Sequence, residues 1–250
     1  MEDYRKQQHT PSMDDSLKLN ESHSNPVSDS PAGKLLSNFI STMNAYGEDA
    51  QETYDRALEV MRKHAEEVVI EIAQAYGHCL KNDYPYRWAL VHAAAELRHP
   101  ATLSFLVNLV NTPIPPERSK DPHSFSTVAE ETILRTTAVE GVEYLLEGKE
   151  NEKAQERLFE FLKQPSLSIR RAAVQALINS ESGKKDRKRI AEMLPKDQRF
   201  LLEIERKNVE DVPQIKDPES HLKELAKQRD EKQPAPRMRD ESEDDSPKAY

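Results

Sequence analysis

Residues 156–180 read ERLFEFLKQPSLSIRRAAVQALINS. Leu158 and Leu162 lie four residues apart and share one face of a helix, and Pro165 then interrupts the pattern. Beyond it Ile169, Ala173, Ala176 and Leu177 resume the 3.6-residue period, with Arg170-Arg171 inside the first turn. The stretch therefore predicts a helix, a short turn and a second helix whose buried face is rich in alanine. Small side chains let a second helix approach its neighbours closely, while Leu and Phe on the first fill the gaps.

Two other segments align with this one on an arginine. Tyr86-Arg87-Trp88-Ala89-Leu90 and Leu134-Arg135-Thr136-Thr137-Ala138-Val139 match Ile169-Arg170-Arg171-Ala172-Ala173-Val174. Each places Arg after an apolar residue, opens a small-residue helix, and follows a shorter amphipathic helix and a turn. The first interval is stretched by the proline-rich insertion 111–126, NTPIPPERSKDPHSFS. Recurring helix pairs at such intervals point to an α-solenoid, since a single pair cannot bury its apolar face alone.

The rest of the middle of the chain agrees. Ala65, Val68, Val69, Ile72, Ala73, Tyr76, Cys79 and Leu80 fit one helical face, as do Ala89, Leu90, Ala93, Ala94 and Leu97. Leu103, Leu106, Val107 and Val110 make another. Further helices are expected at 128–147, 151–163, 167–179, 184–194 and 197–206. Leu35, Leu36, Phe39, Ile40 and Met43 form a short helix ending near Gly47, in the place of a cap. From Glu48 to Leu80 no breaker decides between one helix and two. No segment alternates as a strand would, and the fold class expected is all-α.

The segment 156–180 resembles the HEAT repeats, armadillo-like α-solenoids. Leu158, Leu162, Pro165, Ile169, Arg170, Ala173, Ala176 and Leu177 carry the resemblance. Weaker copies run over 66–97, 101–146 and 184–206. The family often pairs its arginine with an acidic turn residue, and here that position is Gln164. The resemblance implies a short right-handed solenoid of about four to five helix pairs over residues 34–205, with the second helices lining a concave wall. Some HEAT-like enzymes hold two irons through His-Glu dipeptides, and this sequence contains none.

Composition bounds the function. The 250 residues include 6 Gly, 16 Pro and 1 Cys, with a net charge of −9. Six scattered glycines form neither GxGxxG nor GxxxxGK[ST], and one cysteine makes no disulfide framework or Cys-based zinc finger. Only 7 of residues 1–33 and 10 of residues 206–250 are hydrophobic. These stretches cannot offset about 1–2 kcal/mol of backbone entropy per residue, and both are expected to be disordered tails. Without an apolar leader or an 18-residue apolar run, a cytoplasmic protein with no membrane partner is expected. The acidic balance disfavours nucleic acid.

Several residue sets could carry chemistry. His92, Glu96 and His99 stand at i, i+4 and i+7, a spacing suited to a metal, although no further ligand is identifiable. His64, Glu67, Glu71, Gln74 and His78 make a polar stripe that reads as a solvated face. Cys79 falls on an apolar face, as an inert thiol would. Trp88 reads as packing rather than as an anchor, and 184–189, KKDRKR, as the polar face of a short helix. Glu140, Glu143 and Glu147 form an acidic stripe. On the concave wall implied by the resemblance it would lie between His92 and Glu96 on one side and Arg171, Gln175 and Asn179 on the other. The expected function is a non-catalytic scaffold that takes a basic or mixed-charge protein segment on this face and the 111–126 loop, without a cofactor. The alternative is a HEAT-like enzyme, or a metal- or chromophore-handling protein, working through His92, Glu96 and the Glu140 stripe.

Overall fold

The structure, a computed structural model, describes residues 26–118, 125–147, 151–180 and 183–204. The expected tails fall mostly outside the described residues. The exception is 26–33, assigned to a tail by composition yet folded onto the core. There Val27 is buried, and Ser28 and Ser30 both donate hydrogen bonds to Glu71, at 2.7 and 2.6 Å. Two hydroxyls and one apolar side chain anchor a segment too short for a hydrophobic count to detect.

Nine α-helices occur among the described residues, and no strand. They are α1 (Pro31–Thr42), α2 (Ala50–Arg62), α3 (Ala65–His78), α4 (Tyr84–Glu96), α5 (Leu103–Asn111), α6 (Thr127–Tyr144), α7 (Glu152–Phe161), α8 (Leu167–Asn179) and α9 (Gly183–Met193). Short 3₁₀ segments occupy Pro100–Thr102 and Lys196–Glu203. Local chemistry sets many of the starts. Ser30, Asp83, Ser126 and Asn151 accept hydrogen bonds from first-turn backbone N–H groups, and Pro31 and Pro85 sit where a missing N–H costs nothing.

The segment 48–80 is two helices, broken at Lys63–His64 without a proline or glycine. In α3 the buried face is Ala65, Val68, Ile72 and Ala75; Ala73 and Leu80 are exposed, Leu80 because the chain turns extended at Cys79. The helix expected at 197–206 is instead a 3₁₀ turn. Its carbonyls at Leu201, Leu202 and Ile204 accept from Gln175 and Arg187 side chains, which replace a continuing α-ladder.

Buried side chains explain the alternation of helix types. α2 and α7 bury one stripe each, whereas α4, α6 and α8 bury residues on most sides. α4 packs against α6, α6 against α8, and α8 against the 3₁₀ turn Lys196–Glu203. Beside them α3 lies on α4, α5 on α6, and α7 and α9 on α8. Buried alanines line α4 and α8, and in α6 Gly141 makes a close approach. A Cβ there would lie 2.9 Å from both Ala95 Cβ and Leu106 Cδ1, so α6 meets α4 and α5 where only glycine fits without a shift.

The three aligned arginines share one task. Arg87 Nη1 donates to Lys81 O at 3.0 Å, Arg135 Nε and Nη2 to Thr112 O at 3.0 and 2.8 Å, and Arg170 Nη1 to Gln164 O. Each acceptor lies just past the C-terminus of the preceding helix, where carbonyls lack helical partners and the dipole favours a cation. Arg87 and Arg170 reach back six residues and Arg135 twenty-three, because the insertion intervenes.

Candidate functional site

The side chains expected on one wall meet three different environments. On α4, the Tyr54 hydroxyl of α2 lies 3.1 Å from His92 Nε2, and Trp88 stacks on the imidazole with ring centroids 5.0 Å apart. Burial pushes the His92 pKa down, against the pull of the Glu96 charge. The Arg62 guanidinium of α2 donates to the Glu96 backbone carbonyl at 2.9 and 2.7 Å and stands 3.5 Å from its carboxylate. His92 and Glu96 are thus engaged by α2. His99 is turned elsewhere, its Nδ1 accepting from Ala101 N–H at 3.3 Å. The i, i+4, i+7 set does not converge, and among the described residues no three His, Cys, Asp or Glu side chains form a group able to hold a metal.

On α8, Gln175 is buried. Its Nε2 donates to Ile204 O at 2.9 Å and to Leu201 O at 3.4 Å, which fastens the 3₁₀ turn over this face. Gln175 is therefore unavailable to a partner, because the 3₁₀ turn folds back on α8. Arg171 is exposed. Asn179 Nδ2 donates to Glu143 Oε1 at 3.1 Å, joining α8 to α6.

On α6, Glu140 and Glu143 are half-buried, whereas Glu147, expected on the same helix, lies in the turn past its end at Tyr144, exposed and paired with Arg98. Arg98 adopts a left-handed backbone conformation (φ 50°) and lies 4.4 Å over the Tyr144 ring. The acidic stripe is thus already linked to its surroundings at Glu143 and Glu147. α4, α6 and α8 each also expose a large apolar side chain close to the aligned arginine: Trp88 (37% exposed), Ile133 (48%) and Leu167 (47%).

Several of the remaining candidates make contacts within the fold. Cys79 is half-buried, with Sγ donating to Tyr76 O at 3.2 Å; burial pushes its thiol pKa up, against the Arg87 charge. In the 64–78 stripe Glu71 holds the 26–33 segment, and the Ser30 and Ser28 hydrogen bonds keep its carboxyl below the usual range. Within 184–189, Arg187 donates to Leu202 O at 2.9 Å, Asp186 accepts from Gln155 at 2.7 Å, and Arg189 covers the Phe159 ring at 3.7 Å. These contacts make the cluster the polar side of α9, and the side chain of Lys184 lies outside the described ones.

Sequence reasoning missed Glu131. Its side chain is 6% exposed and bridges two of the aligned arginines, Arg87 Nη1 to Oε1 and Arg135 Nη1 to Oε2, each at 2.6 Å. Burial pushes its pKa up, but the hydrogen bonds and charges of Arg87 and Arg135 outweigh burial and hold the carboxyl below its ordinary value. Arg87 Nη2 also donates to Tyr76 OH at 2.7 Å, and its guanidinium sits 5.1 Å from the Tyr76 and Tyr84 ring centroids. The signal in the sequence was the i, i+4 spacing of Glu131 and Arg135, one turn before the aligned arginine. Beside this cluster a cleft of about 540 Å³ opens between the end of α3, α5 and the first half of the insertion.

Protein-family models, curated proteins and solved structures were compared with the chain, and none of them matches.

Proposed function

We propose that the helical array is a short HEAT-like α-solenoid, right-handed and built from helix pairs, serving as a non-catalytic interaction module. Two features support the solenoid reading: α4, α6, α8 and the last 3₁₀ turn pack in succession, and Arg87, Arg135 and Arg170 bind the turn before each second helix. At both ends the second helices are covered, α4 by α2 through His92 and Glu96, and α8 by the 3₁₀ turn through Gln175. The outer face of α6 lies between these covers.

The observation that carries the binding reading is the set of exposed apolar side chains on successive second helices, Trp88 on α4, Val128 and Ile133 on α6 and Leu167 on α8, with Glu140 and Glu143 further along α6. Apolar anchors beside carboxylates suit an amphipathic protein segment that presents aliphatic or aromatic residues together with lysine or arginine. Phe125, exposed at the end of the 111–126 loop, borders the start of the same helix. Selection from a random peptide library tests this reading. The expected peptides combine apolar and basic residues, and lose about 1–3 kcal/mol of affinity for the double variant Ile133→Asp/Glu143→Lys at unchanged helicity. Failure to select any peptide, or equal affinity for the variant, contradicts it.

A further inference from the structure

The cleft beside Glu131 has properties that the peptide-binding reading does not use. The insertion that forms one of its walls is held at both ends. Arg135 binds Thr112 O and Pro113 O, and the Glu117 carboxylate accepts from Ser126 Oγ at 2.5 Å and Thr127 N–H at 2.9 Å, at the start of α6. Prolines at 113, 115 and 116 stiffen the path between these anchors. Ile114 packs against the core. The wall is thus a built feature, braced by a buried ion cluster.

Its lining pairs apolar surface with cationic charge. Tyr76 and Phe105 meet edge to face, ring centroids 5.4 Å apart, and Leu109, Pro113 and Pro115 continue the apolar surface. Lys81, Arg87, Arg118 and Arg135 border the cleft, against one bordering carboxylate, Glu131. Glu131 is engaged by Arg87 and Arg135, whereas Lys81 and Arg118 are exposed. The volume, about 540 Å³, falls in the range that encloses a small organic molecule.

We propose that this cleft binds a small organic carboxylate, its apolar body against Tyr76 and Phe105 and its charged end toward Lys81 and Arg118. Such a ligand combines area burial against rings with charge-assisted hydrogen bonds at a half-open rim. A neutral molecule of the same shape would keep only the first contribution.

Calorimetric titration of the full chain with 2-naphthoate, and with the neutral 2-naphthalenemethanol, tests the proposal. The wild type is expected to bind the carboxylate about tenfold more tightly than the alcohol, as one charge-assisted contact implies. Lys81→Glu/Arg118→Glu is expected to remove that preference, and both of its side chains are exposed, so folding should persist. Asn108→Trp places a large ring in the cleft from an exposed position on α5 and is expected to abolish binding of both probes at an unchanged melting temperature. Absence of 2-naphthoate binding up to millimolar concentration overturns the proposal. So does an equal affinity of the wild type for the two probes, a carboxylate preference retained by Lys81→Glu/Arg118→Glu, or binding retained by Asn108→Trp.

Discussion

The α7–α8 turn and the α5–α6 connection do the same job with different parts. In the first, five residues separate the helices, and Arg170 reaches the Gln164 carbonyl while Gln198 accepts from its Nε at 2.8 Å. In the second, a long insertion replaces the turn, and Arg135 reaches across it to Thr112 and Pro113. Arg170 is only partly buried and manages with neutral acceptors, whereas Arg135 is 1% exposed and sits beside Arg87, so Glu131 supplies a shared countercharge. The difference teaches that one sequence position can hold one geometric role while its electrostatic needs are set by depth. A buried cation requires a paired carboxylate, and a half-exposed one does not.

The largest expected effect breaks the deeper of the two. Glu131→Ala leaves two buried guanidinium groups without their carboxylate and should cost about 3–5 kcal/mol in urea unfolding at neutral pH. Gln198→Ala, the matching change at the shallower arginine, should cost under about 1 kcal/mol. The same contrast has a pH signature. The carboxyl of Glu131 is held below its unfolded value of about 4.3, so its contribution is complete above that pH. It is lost as pH falls through the lower folded value. Acid titration of stability should show this limb in the wild type and lack it in Glu131→Gln.

Packing offers a smaller effect. Gly141→Val forces a branched side chain into the α4–α5–α6 contact and should cost about 1–3 kcal/mol. Gly77→Ala, in α3 with open space around its Cβ position, should instead stabilise by up to about 1 kcal/mol. Thermal melts of the two variants, compared with wild type, check both signs.

Much of the architecture was legible in the sequence because its signals are local. The 3.6-residue period of α3 and α8, the prolines between helices, and the alignment of Arg87, Arg135 and Arg170 all lie within short windows. What escaped reading depends on contacts distant along the chain. Tyr54 meets His92 across 38 residues and Gln175 meets Ile204 across 29, and nothing near either residue announces that its face is covered. Gln175 illustrates the error most clearly. The HEAT resemblance implied that it lies on an open concave wall, whereas the folded-back 3₁₀ turn covers it. Glu131 escaped for another reason. An i, i+4 Glu–Arg pair is ordinary on an exposed helix, and only its burial with Arg87 makes it a structural centre.

The most direct measurement is a pair of double-mutant cycles on unfolding free energy, one for Glu131→Gln with Arg135→Met and one for Gln198→Ala with Arg170→Met. A shared geometric role with depth-dependent charge pairing predicts a coupling of about 2–3 kcal/mol for the first pair and under about 0.5 kcal/mol for the second. Equal couplings, or a larger one at Arg170, would contradict it.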